Sequence, residues 1–360
     1  MTYLDYQATT PLAPEAFDAM LPWLRDDHAN PHSAHASGRR AKAAVEAARD
    51  AVAALLPAGG SLSFTSGATE ALNWAIKGTT GGIVTIATEH AAVLDTVEAE
   101  RARGRTVASL PVGGDGRVDL DAAEKAIVPG TGLVAAMLVN NEIGVLQPIA
   151  ALADMAHAVG AKLLCDAVQG YGRVDIPQAC DLVAISAHKV HGPKGVGALW
   201  VRDGSPPSPL MHGGGQEALG RSGTLSPALC AGFGVAARLM RDRHAEDAAH
   251  VDRLWVLATG RLSHWLVNGS GAHRYRGNLN LRRDGLDVAR LMSDLRDIAF
   301  SAGSACASGS GRPSHVLRAI GLSDAQARSS IRLGFGRYTT EEELMSALDR
   351  IDAAAKAQRP

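Results

Sequence analysis

Apolar positions along the first two-thirds of the chain alternate between two patterns. Where they recur every three or four residues the chain reads as helix: 14–25, 37–56, 69–77, 91–103, 119–127, 149–159 and 227–243. Between these lie short, nearly continuous apolar runs: SLSF, GIVTIAT, GLVAAMLVN, AKLLCD, DLVAIS and GALWV. Such runs suit strands buried on both faces. Strands of this kind alternating with helices predict an α/β fold with a large, mostly parallel sheet.

The rhythm changes after about Ala245. A helix in DVARLMSDLRDIA, a glycine–serine loop, a strand-like SSIRLGFG and a last helix from Thr340 predict a smaller α+β unit. Thr340 and Glu343 have the spacing of a capping box ahead of the Leu344, Leu348, Ile351 stripe. The expected division is a large α/β domain over 14–245 and a small α+β domain made of 1–13 and 246–360.

Composition narrows the function. The chain has 360 residues, 46% of them hydrophobic and 20% charged, enough for a sizeable core. A net charge of −1 gives no electrostatic basis for a nucleic-acid or membrane-surface partner. The start, MTYLDYQATTPLAPEAF, carries acids and prolines where a signal peptide would have a basic end and an apolar run. No apolar stretch is long enough to span a bilayer. Cys165, Cys180, Cys230 and Cys306 form no CxxC pair. A reducing, cytoplasmic setting is the expectation.

In a parallel sheet, ligands bind beyond the carboxyl ends of the strands. SLSF runs into Ser66, Gly67, Ala68 and Thr69 at a strand-to-helix turn, which suits a phosphate or is an ordinary capped turn. The next runs end in Glu89-His90, in Asn140-Asn141-Glu142, in Asp166 with Gln169 close behind, and in SAHKVHGPKG with Ser186, His188 and Lys189. Each alone is a common loop residue. In strand order they match the needs of pyridoxal phosphate: a lysine to attach it, an anion for its pyridinium nitrogen, a phosphate cup and a flat group over the ring. His188 and His191 lie three apart but lack a third ligand, so no metal is expected.

The segment SAGSACASGSG raises a separate question. It surrounds Cys306 with nothing larger than serine, a poor place to pack a structural thiol and a good one to move a reactive one. Cys165 and Cys230 read instead as core residues, and Cys180 as structural.

With these residues in view, the chain resembles the cysteine desulfurases of the nitrogen-fixation and iron–sulfur-cluster type. These are pyridoxal-phosphate enzymes with the class V, aspartate-aminotransferase-like fold. The resemblance rests on YLDYQATTP, FTSGATEALNWAIKG, TEHAAVLDT, NNEIGVLQPI, CDAVQGYGRVDI, SAHKVHGPKGVGALW, MHGGGQEALGRSGT, SAGSACASGS and SSIRLGFGRYTTEEE, which together cover nearly the whole chain. It implies that Lys189 attaches the cofactor and takes the substrate Cα proton. His90 would stack on the ring and move protons, and Asp166 would pair with its nitrogen. Ala68, Thr69, Ser186 and His188 would hold the phosphate, with Thr224 of the partner subunit in a homodimer. Asn141 and Gln169 would contact the phenolic oxygen, Asn141 also the substrate. Arg332 would clamp the carboxylate of L-cysteine. Cys306 would take the sulfur as a persulfide, release L-alanine and pass the sulfur to an acceptor or iron–sulfur scaffold protein.

Departures from the pattern are Gln7, larger than the residue expected there and placed at the site entrance, and short segments at 57–61 and 79–82. The chain also ends soon after its last amphipathic helix, where many relatives carry a scaffold-docking tail. Selenocysteine lyase, another class V enzyme, or a non-catalytic scaffold with the same fold are the competing readings. Cys306 argues against an aminotransferase, and the full set of site residues against a scaffold.

Overall fold

The protein is described by a computed structural model covering residues 1–303 and 313–358. Its strands, in chain order, begin with β1 (Thr2–Tyr3), β2 (Gly60–Thr65), β3 (Gly82–Ile86), β4 (Val107–Leu110), β5 (Thr131–Met137), β6 (Lys162–Asp166), β7 (Leu182–Ser186) and β8 (Gly197–Arg202). The remainder are β9 (Leu266–Val267), β10 (Asn278–Arg282), β11 (Ile298–Ala299), β12 (Ser301–Ala302) and β13 (Ser330–Gly334).

Strands β2 to β8 form one sheet in the order β2-β8-β7-β6-β5-β3-β4. Only β8 runs against its neighbours, so the sheet is mostly parallel, as the apolar runs predicted. The non-sequential order forces crossover connections, and the predicted helices supply them within a few residues of their expected ends. One sheet strand had no signal in the pattern. β4 is an edge strand with only Leu110 buried, so it lacks the continuous apolar run of its interior neighbours.

The later part of the chain builds a second sheet, β12-β13-β10-β9, antiparallel throughout. The helix expected to run through DVARLMSDLRDIA stops at Asp294. Ile298 and Ala299 leave it to pair with Thr2 and Tyr3 as a two-stranded parallel ribbon. Pairing to a distant segment overrides the local helical signal there. The same ribbon brings Leu4 into an apolar cluster with Leu254, Leu281, Leu333 and Leu348, apart from the clusters that flank the large sheet. Helix His244–Arg261, not expected from the sequence, is separated from Pro227–Asp242 by Arg243 alone and leads into this part of the molecule.

The last helix, Glu341–Ala357, starts as its sequence predicts. The Thr340 hydroxyl accepts from Glu343 N–H at 3.1 Å, and the Glu343 carboxylate accepts from Thr340 N–H at 3.3 Å. Leu344, Leu348 and Ile351 are fully buried beneath it. The carboxyl ends of β3, β5, β6 and β7 and the turn after β2 then share one edge of the large sheet.

Candidate active site

A cavity of about 610 Å³ opens at that edge. Ala68, Thr69, His90, Asn141, Asp166, Gln169, Ser186, His188, Lys189 and Arg332 all line it. Thr224 does not line this cavity and is exposed. Cys306 lies outside the described residues.

The turn after β2 feeds helix Ala68–Lys77, whose first residue follows Gly67 with no side chain capping it. The first turn therefore presents unsatisfied N–H groups and the positive end of the helix dipole. Gly197 in β8 lets the turn lie close: a Cβ there would be 2.7 Å from the Gly67 backbone. The Ser186 hydroxyl and the His188 ring border the same cavity. His188 Nδ1 lies 3.2 Å from Thr9 Oγ1. Burial, then the charges of Lys189 and Lys194, push His188 down to about 4, so it stays neutral near neutral pH. This donor set, neutral groups around an uncapped helix N-terminus, fits a phosphate.

Asp166 ends β6 and is 5% exposed, with Oδ1 accepting from Val168 N–H at 3.0 Å. Burial raises its pKa, against the pull of that N–H, His90 and Lys189. Such a carboxylate fits a cationic aromatic nitrogen as partner. Beneath it Glu89 is fully buried; Oε1 accepts from Met137 N–H at 2.6 Å, while burial and then Asp166 push its pKa well up. Of the two carboxyls, Glu89 is the more strongly raised.

His90 caps helix Ala91–Ala102, with Nδ1 accepting from Ala92 N–H at 3.1 Å. Burial lowers its pKa. A neutral ring with Nδ1 engaged carries its proton on Nε2. Lys189 follows β7 on a single 3₁₀ turn. Its Nζ donates to the carbonyls of Gln7 and, at 2.9 Å, Ala8.

Gln7, expected to shape the site entrance, lines the cavity. It is buried, its Nε2 donates to Gly277 O at 2.8 Å, and its own carbonyl accepts from Gln169 at 3.0 Å. A Cβ on Gly334 would collide with its side chain, so this glycine makes the room.

Across the cavity, β13 contributes Arg332, 1% exposed. Its Nη2 donates to Asp5 Oδ1 at 2.8 Å and Ser301 Oγ at 3.2 Å, and its Nη1 to Asn141 O at 3.1 Å. Nε is buried without a partner among the described residues. Asp5, Ser301 and the Gln7 and Ala8 carbonyls had no role in the sequence reading. Their only signal was their place in YLDYQATTP and beside the cysteine segment.

The other cysteines are buried. A hydrogen bond with Cys180 and burial raise the Cys165 thiol far up, and burial pushes Cys230 to about 12. Thiols in that state are poor nucleophiles.

The family model for aminotransferase class-V matches residues 2–346. The mitochondrial cysteine desulfurase of Saccharomyces cerevisiae is 46% identical over 95% of this chain and 72% of its own length. Cysteine desulfurase IscS of Rickettsia akari is 42% identical over 97% of this chain and 90% of its own. The chain belongs to the cysteine desulfurases of the class V family. A solved NifS-like protein, 31% identical, superposes on the desulfurase with a TM-score of 0.90 over 99% of both chains. The α/β class V fold expected from the sequence is therefore the fold of this desulfurase. No helix among its described residues is long and apolar enough to cross a membrane.

Proposed function

We propose that this desulfurase binds pyridoxal phosphate in the large-sheet cavity and uses Lys189, His90 and Cys306 to turn L-cysteine into L-alanine and a persulfide. What supports it most is the convergence, in one cavity of about 610 Å³, of a lysine, a buried carboxylate and an uncapped helix N-terminus. The phosphate would sit against Ala68, Thr69, Ser186 and His188, completed by Thr224 of the partner subunit in a homodimer. Asp166 would face the ring nitrogen, His90 the ring, and Asn141 and Gln169 its phenolic oxygen. When bound, the cofactor supplies an electron sink for bond breaking at the substrate Cα and Cβ.

The chain's own residues do the rest. The Gln7 and Ala8 carbonyls fix the direction of Lys189 Nζ, the atom that takes the Cα proton. His90 moves its proton at Nε2, held in that tautomer by Ala92 N–H. Arg332 binds the substrate carboxylate, and Asp5 and Ser301 hold its guanidinium in place. Cys306 accepts the substrate sulfur and passes it to an acceptor or iron–sulfur scaffold protein in the cytoplasm. Residues 14–245 serve as the cofactor-binding domain, and 1–13 with 246–360 as the small domain that carries Arg332 and Cys306.

The test is to supply L-cysteine and a thiol reductant to the cofactor-loaded protein and measure sulfide and alanine together. Equal amounts of both are expected. Alanine without sulfide, or neither product, overturns the assignment.

A further inference from the structure

A second cavity, of about 290 Å³, lies away from the strand ends. The turn at Gly172–Val174, helix His244–Arg261, the segment 272–276 and Gly336–Arg337 enclose it. That volume is at the small end of ligand pockets, roughly 300–1,000 Å³. Its charges do not balance. Arg173, Arg274, Arg276 and Arg337 line it against only Asp247 and Asp252.

The carboxylates satisfy two of the four cations. Arg276 pairs with Asp252 at 3.1 Å, and Arg337 Nε with Asp247 at 2.9 Å. Arg337 is 2% exposed at its side chain, yet its Nη1 has no partner among the described residues. Arg274 is 8% exposed, lies 4.4 Å over the Trp255 ring and meets only backbone carbonyls, with Nε unpartnered. A buried guanidinium without an anion is costly, and a site for one removes the cost. The field in the cavity is positive enough to act on its own lining: burial, then Arg173 and Arg337, hold His191 down to about 3.

We propose that this cavity is a binding site for a phosphate group, free or as a small monoester, whose two negative charges match the excess of two guanidiniums and whose oxygens suit their fork of donors. Arg173 links the site to the catalytic cavity. It makes no ion pair among the described residues, and its donors go to the backbone carbonyls of Gln169, at 3.2 Å, and of Lys189. A phosphate that draws Arg173 toward itself loosens its grip on the peptide that carries Lys189. Occupancy should therefore change turnover as well as stability.

The experiment titrates the cofactor-loaded protein with inorganic phosphate at constant ionic strength, following heat of binding and melting temperature. The visible absorbance of bound cofactor is followed alongside, and glycerol phosphate and acetate serve as competitors. Saturable binding with unchanged cofactor absorbance is expected, with competition by the monoester and none by acetate. The tighter of phosphate and monoester tells which source the site favours. Arg337→Met should weaken binding most; because it also strands Asp247, Arg173→Gln, which breaks no ion pair among the described residues, is the second variant and should weaken binding at least tenfold. No saturable binding, equal binding in Arg173→Gln, or binding that displaces cofactor overturns the proposal.

Discussion

The two cavities put charge to different uses. In the catalytic one, each charged group has its own place: Asp166 is the one carboxylate among the lining residues, Lys189, Lys194 and Arg332 are its cations, and burial pushes the His90 and His188 rings toward their neutral forms. In the second, four arginines outnumber two aspartates, and no single one defines the site. A site that transfers protons needs individual groups in individual protonation states. A site that only holds an anion needs a summed field. Substitutions should therefore act as switches in the first cavity and as graded losses in the second.

The largest effect belongs to Lys189. Lys189→Ala removes both the attachment point and the base at Cα, so sulfide and alanine release should fall to background while the phosphate contacts still retain some cofactor. Residual turnover near the parent's would shift the role to Lys194, which also lines the cavity but is exposed. His90→Ala comes next, at roughly 10²–10⁴ in rate, the scale of general acid–base catalysis. Steady-state assays across pH check it; an unchanged profile would reduce His90 to a packing residue.

Arg332→Lys keeps the charge beside Asp5 but loses the fork. A charge-assisted hydrogen bond is worth about 1.5–3 kcal/mol, so KM for L-cysteine should rise roughly tenfold to a hundredfold with less change in kcat. An unaltered KM would free Arg332 from substrate binding and leave it only its ion pair.

The second cavity predicts a smaller, pH-dependent effect. The folded-state pKa of His191, about 3, is below its ordinary unfolded value of about 6.5. Between those values the unfolded chain binds a proton that the folded one refuses. Its contribution is complete above about pH 6.5 and is lost as pH falls toward 3. His191 has φ +67°, a left-handed conformation that asparagine tolerates. His191→Asn should therefore flatten the fall in melting temperature between about pH 6.5 and 4, and an equally steep fall in the variant would contradict the assignment. The smallest effect is expected from Cys165→Ala and Cys230→Ala, which should leave turnover near the parent's in the sulfide assay.

The contrast between the cavities also explains what could be read from sequence. Each catalytic residue on the large sheet stands within a few positions of an apolar strand, so His90, Asp166 and Lys189 were marked by the strands that carry them. Arg332 was reached through its motif alone. Its partners Asp5 and Ser301 meet it only because β11 and β12 pair with distant segments, a contact with no local periodicity. β4 was missed because an edge strand need not be apolar on both faces. The second cavity gathers Arg173, Arg274 and Arg337 from segments far apart in the chain; Arg337 follows β13 by three residues, but Arg173 and Arg274 stand seven residues beyond the strands before them.

The central claim is that Cys306, alone among the four cysteines, receives sulfur from L-cysteine. Mass spectrometry of peptides from the parent and Cys306→Ala, after exposure of cofactor-loaded protein to L-cysteine without reductant, tests it most directly. The account predicts the mass of one added sulfur on the parent peptide containing Cys306, and none anywhere in the variant, which keeps its cofactor absorbance but releases no alanine. Added sulfur on the peptides of Cys165, Cys180 or Cys230, or undiminished alanine release by Cys306→Ala, would contradict it.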